Sequence, residues 1–148
     1  MIFISTFAKR GFYEEQSNSE KDLQFIQLDV EKFRDIQSMY QVRSFPTFLF
    51  FKNGSKMNET IEGADREALA SIIKKLLSSD TNQTQNNNTF TNNNLTGTVY
   101  HVKDHNDFDK VVNNPNCKIS LVDFFATWCG PCQNIKFEFL NIYYQFSI

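Results

Sequence analysis

Three cysteines, one tryptophan and almost no net charge stand among 148 residues, and each shortage removes a class of answer. Three cysteines, unevenly placed, cannot build a disulfide framework, so the chain reads as one from a reducing compartment. The N-x-S/T matches at Asn53, Asn58, Asn82, Asn87 and Asn94 are then expected to stay unmodified. The formal charge of −2 comes with Lys and Arg scattered singly. It leaves no electrostatic footprint for nucleic acid or an anionic membrane. No apolar run approaches the roughly 18 residues of a membrane span. Met1 to Ala8 is short, holds Ser5 and Thr6, and has Lys9 and Arg10 on the wrong side for a secretory signal. What is abundant is apolar and aromatic: 41% hydrophobic residues, including 16 Phe. That is enough for the core of about one domain, with no room for two.

Composition breaks once, from Asp80 to Gly97, where Asn, Thr and Gln dominate and only Phe90 and Leu95 are apolar. Such a stretch cannot offset the entropy of ordering and is expected to be a flexible linker between residues 1–79 and 98–148. In the first piece, Leu23 to Val30 predicts a strand, and Lys32 to Gln41 a helix with Phe33, Ile36 and Tyr40 on one face. Thr47 to Lys52 (TFLFFK) predicts a buried strand. Asn53-Gly54 is a two-residue hairpin signal leading to a weaker strand, Lys56 to Glu62. Asp65 to Leu77 has helical spacing, with Asp65 as the cap of an incomplete capping box that has Ala68 where Glu is usual. In the second piece, Thr98 to Val102 predicts a short strand, Asn106 to Val112 a helix, Cys117 to Ala126 a strand, and residues 131–146 a helix with Pro131 in its first turn. Strands alternating with helices argue an α/β fold with a central mixed sheet flanked by helices.

Cys129 and Cys132 form a C-x-x-C pair where the apolar strand LVDFFA gives way to a helix. A thiolate there faces unsatisfied backbone N–H groups and the positive end of the helix dipole, so the Cys129 thiol is expected to ionise near neutrality. Two intervening residues let Cys132 attack a mixed disulfide formed at Cys129. The competing reading is half of a zinc site completed from Cys117, His101 and His105, but no second C-x-x-C or H-x-x-x-H pairing supports it. Asp123 stands inside an otherwise apolar strand, where desolvation favours its protonated form. Its bland alternative is a strand-end carboxylate that is partly wetted.

The string FFATWCGPC resembles thioredoxin, whose WCGPC site it reproduces letter for letter. The resemblance continues outside the motif. Residues 98–146 are similar to the N-terminal half of that fold. Residues 23–78 are similar to its C-terminal half, through FIQLDV, YQVRSFPT, LFFKNG and the EGADRE loop at Glu62 to Glu67. The halves therefore stand in reversed order, as in a circular permutant or a piece cut from a tandem protein. Residues 2–16 look like a degenerate copy of the helix that residues 133–146 also supply. An 18-residue linker spans about 23 Å on average, and about 60 Å at full stretch, against a domain diameter of roughly 33 Å, so one chain can close the fold.

The resemblance implies roles. Cys129 would be the nucleophile, Cys132 the resolving thiol, and Asp123 the acceptor of the Cys132 proton. A Lys that accompanies this Asp in many family members is replaced by Gln27. Pro46 stands where the family has a cis-proline, and Phe45 would offer its backbone to the substrate; the alternative is an ordinary trans proline. Trp128 would be a lid beside Cys129, with Gly130 and Pro131 in the substrate-facing motif and Gly63 a backbone docking point; packing and turn roles are the alternatives. Cys117 reads as inert, a regulatory thiol being the lesser reading. Phe137 replaces a kinking proline and implies a straighter helix. Together these imply a cytoplasmic thiol–disulfide oxidoreductase without a cofactor or metal. It would act on disulfide-containing proteins and be re-reduced by a thioredoxin reductase or similar donor. A half-swapped dimer is a further expectation. The rival is an inactive truncated fragment or a binding module that keeps the motif without turnover.

Overall fold

Every strand expected from the sequence pairs into one five-stranded sheet, and the strand carrying Asp123 lies at its centre. The computed structural model describes residues 21–79 and 99–135. In chain order the elements are β1 (Lys21–Asp29), α1 (Arg34–Met39), β2 (Thr47–Lys52), β3 (Ser55–Glu62), α2 (Arg66–Ser79), β4 (Val99–His101), α3 (His105–Val112) and β5 (Cys117–Phe125). Helix α4 follows over residues 130–135. Across the sheet the order is β3-β2-β5-β1-β4. Strand β5 runs parallel to β1, from Lys21 opposite Cys117 to Asp29 opposite Phe125. On its other side it is antiparallel to β2, with Phe48 opposite Asp123. Residues Ile119 to Phe125 therefore lie between two strands of the first piece, β1 and β2. The sheet is mixed, because β4 is parallel to β1 and β3 antiparallel to β2.

Alternation along the strands gives the sheet two apolar faces. One carries Leu28, Leu49, Val122 and Phe124, and packs against Ile36 of α1 and Phe108 and Val112 of α3. The other carries Phe25, Phe48, Phe50 and Leu121, and packs against Leu69 and Ile73 of α2 and against Ile135. A strand covered on both sides needs no polar alternation, which accounts for the unbroken TFLFFK run.

Local chemistry sets the ends. Lys32 and Phe33 donate their N–H groups to Asp29 O, a turn that delays α1 to Arg34, and Gln41 at φ 56° stops it. Asp65 Oδ1 accepts from Ala68 N at 2.9 Å, half of the capping box. Asp104 caps α3 in the same way from Asp107 N, also at 2.9 Å. Asn53 and Gly54 take φ values of 51° and 76°, the left-handed pair that a two-residue hairpin requires. A Cβ on Gly54 would fall 1.7 Å from Asn113 Oδ1. We expect Gly54→Ala to cost about 1–2 kcal/mol from the left-handed backbone alone, plus displacement of Asn113. Urea unfolding checks this, and Asn113→Ala in the same chain should recover the steric part but not the backbone part.

The expected linker at 80–97, the helix-like segment 2–16 and Phe137 lie outside the described residues. No described helix is long and apolar enough to cross a membrane.

Candidate active site

The chain leaves β5 at Phe125 and turns through Ala126 to Trp128 before α4 starts. Cys129 N donates to Ala126 O at 3.2 Å, closing the turn, and Cys129 O accepts from Gln133 N at 3.3 Å, opening the helix. Cys129 is thus the residue at the helix cap. Its Sγ accepts from Cys132 N at 3.2 Å, the place a Ser or Asp oxygen takes at an ordinary N-cap. Pro131 sits where its missing N–H leaves nothing unsatisfied. The two sulfurs are joined as a disulfide, with the Cα atoms 5.3 Å apart. Cys129 and Cys132 are 5% and 3% exposed.

The first piece of the chain supplies the opposite wall. The Phe45–Pro46 peptide is cis, as the sequence context implies. Phe45 O lies 3.5 Å from Cys129 Sγ, so this loop lies against the motif. The Phe45 ring meets Trp128 edge to face, with centroids 6.0 Å apart. Trp128 is otherwise open to solvent at 70% exposure. Gly130 and Pro131 are exposed beside it. Gly63, at φ 92°, donates its N–H to Pro46 O at 2.7 Å. That N–H is engaged internally, and nothing lies within 4 Å of where a Cβ would stand.

Asp123 is 1% exposed, which excludes the partly wetted alternative. Its partner is the residue anticipated in place of Lys: Gln27 Nε2 donates to Asp123 Oδ2 at 3.2 Å. Cys117 is buried, and its thiol donates to Ile119 O at 3.0 Å. Among the described residues no three His, Cys, Asp or Glu side chains converge as a metal site would need. Away from the site, burial, then Asp107, pushes Tyr100 up to about 12.

Sequence reasoning missed Glu31 and Gln133. The Glu31 carboxylate accepts from both Thr127 N and Thr127 Oγ1, and Gln133 Nε2 donates to Thr127 O at 3.2 Å. Every hydrogen-bonding group of Thr127 is held, which fixes the backbone leading into Trp128 and Cys129. Glu31 and Thr127 are 96 residues apart, and no local pattern marks the pair.

Comparison with known proteins agrees with this geometry. The family model described as Thioredoxin matches residues 9–75 and 98–147, more than half of the chain. Similar curated proteins include a thioredoxin of Oryctolagus cuniculus, 38% identical over 68 residues, covering 46% of this chain and 64% of that protein. A thioredoxin of Ophiophagus hannah is 36% identical with the same coverage, and thioredoxin 1 of Plasmodium falciparum is 38% identical over 43% of this chain and 61% of that protein. The chain thus spans somewhat under two thirds of the length of the relatives it matches. No solved structure matches it. With a mixed five-stranded sheet whose two matched segments interleave in permuted order, the chain belongs to the thioredoxin family.

Proposed function

We propose that this protein is a thiol–disulfide oxidoreductase that reduces protein disulfides through Cys129 and Cys132. The observation that carries the reading is the capped sulfur: Cys129 Sγ accepts the Cys132 amide at 3.2 Å and lies 3.5 Å from Phe45 O. An amide aimed at the sulfur at a helix N-terminus favours the thiolate over the thiol. In the reduced enzyme the Cys129 thiolate attacks one sulfur of a substrate disulfide, and the other substrate sulfur leaves as a thiolate. A mixed disulfide remains. Cys132 then loses its proton to Asp123 and attacks Cys129 Sγ. The bond to the substrate breaks, the second substrate thiolate departs, and the Cys129–Cys132 disulfide carries the two electrons' worth of oxidation. A thioredoxin reductase or similar dithiol donor restores the reduced pair.

An extended substrate segment lying along the Phe45 backbone, with Trp128, Gly130, Pro131, Pro46 and the Gly63 carbonyl around it, brings its sulfur to Cys129. We read residues 1–79 and 98–148 as the two halves of the site, joined through 80–97. The proposed setting is the cytoplasm.

Reduced protein should turn over insulin disulfides with dithiothreitol as donor, and a limiting iodoacetamide pulse near neutral pH should label Cys129 well ahead of Cys132 and Cys117. The pH midpoint of Cys129 labelling should fall about one unit or more below the ordinary 8.5 of a free thiol. Labelling led by Cys117, or a reactive Cys129 with no turnover, would reject the reductase reading, the second result in favour of a binding module.

A further inference from the structure

We infer that Gln27 is the positioning residue that sets the proton affinity of Asp123, and that it does so as a neutral partner suited to both the carboxylate and the acid. The inference rests on the role of Asp123 proposed above. Gln27 and Asp123 are directly opposed in the parallel pairing of β1 and β5, and are 3% and 1% exposed. Gln27 Nε2 donates to Asp123 Oδ2 at 3.2 Å, whereas Gln27 Oε1 is fully buried and has no hydrogen-bond partner among the described residues.

A buried acceptor without a donor is costly, and the neighbouring group that can become a donor is the carboxyl of Asp123 once protonated. A primary amide carries both functions. Its NH2 serves Oδ2 of the carboxylate, and its carbonyl can serve the acid. A Lys at the same place would have three donors and no acceptor, and would hold Asp123 ionised. An apolar side chain would serve neither state and would leave desolvation to keep the acid protonated.

The described side chains that share this face with the pair are apolar. Asp123 shares its face of the sheet with Phe25 and Leu121, and Phe48 of β2 is its other cross-strand neighbour. Helix α2 turns Leu69 and Ile73 inward while Arg66, Glu67, Lys74 and Lys75 are exposed, as is Lys52 of β2. Helix α4 buries Cys132 and Ile135. Among the described residues, Cys132 is the buried titratable group these elements bring, and the proton exchanged is the one Cys132 gives up on attacking Cys129. The site then moves a proton from sulfur to oxygen with Gln27 rotating its amide.

The test follows the two steps separately in the whole chain. Reduced protein is mixed with dithiobis(nitrobenzoate), and the first and second thionitrobenzoate releases report formation and resolution of the mixed disulfide. The resolution rate is measured across pH for wild type, Gln27→Lys, Gln27→Met and Asp123→Asn, with each variant's fold checked by circular dichroism. Gln27→Lys should move the resolution midpoint down by about one pH unit or more, and the near-isosteric Gln27→Met should move it up. Adding Gln27→Lys to Asp123→Asn should produce no further shift. If Asp123→Asn alters the profile while both folded Gln27 variants leave it unmoved, the inference about Gln27 is overturned and the role of Asp123 stands. If Asp123→Asn itself changes nothing, the proposed role of Asp123 fails. Should Gln27→Lys not fold, the upward shift in Gln27→Met decides.

Discussion

Replacement of Cys129 by Ser reduces insulin turnover to that of the reductant alone, a loss of at least about a hundredfold, because a serine hydroxyl in this position remains un-ionised and cannot exchange with a disulfide. Replacement of Cys132 gives a different failure. In Cys132→Ser, Cys129 keeps its cap from the backbone amide of residue 132, since that bond uses N–H and not the side chain. Attack therefore proceeds, but nothing resolves the product, and the variant accumulates one substrate per chain as a mixed disulfide detectable by intact mass. The asymmetry is the informative part. Equal loss without trapping in both variants, or continued turnover in Cys129→Ser, would remove Cys129 from the nucleophilic role.

Phe124→Ala should lower stability by about 3–5 kcal/mol, the range for deleting a fully buried aromatic ring. Phe124 has no exposed surface, lies on the central strand, and joins the cluster that also contains Cys129 and Cys132. Its ring meets Tyr40 of the first piece edge to face at 6.3 Å, so the cavity would open where the two pieces meet. Native domains are stable by only about 5–15 kcal/mol, and the loss takes a large share of that margin. Urea unfolding followed by circular dichroism gives the shift, and a change under about 1 kcal/mol would mean that the site collapses around the cavity far better than a close-packed core allows.

What could be read from the sequence was whatever a short window contains. TFLFFK, the Asn53-Gly54 turn and the cysteine pair at a strand-to-helix change each carry their own signal, and the structure has a strand, a left-handed turn and a capped sulfur there. Ends were less legible, because partners set them. Strand β1 starts at Lys21, two residues before its apolar pattern, since Lys21 lies opposite Cys117 of β5. The expected helix from Lys32 to Gln41 is shorter at both ends, for the turn onto Asp29 and the left-handed Gln41 are backbone events that the Phe33, Ile36, Tyr40 stripe does not record. The anchoring of Thr127 by Glu31 was not legible at all. An exposed Glu after a strand looks like any solvated charge until folding places it beside a loop 96 residues away.

The central position of β5 has a consequence for synthesis. Strands β1 and β2 leave the ribosome well before β5, yet each pairs along a full edge with β5 and not with the other. Until residues 117–125 emerge, a nascent chain therefore carries β1 and the Phe-rich β2 with hydrogen-bonding edges unpaired and about 65 residues of chain to wait for. Only the β2–β3 hairpin can form from local contacts in that interval. Every other strand pairing must close a loop of tens of residues, which makes folding slow for a protein of this size. The order of segments that leaves the finished sheet intact thus lengthens the period in which these edges stay open, and expression yield should respond to chaperone supply more steeply than the stability of the folded protein would suggest.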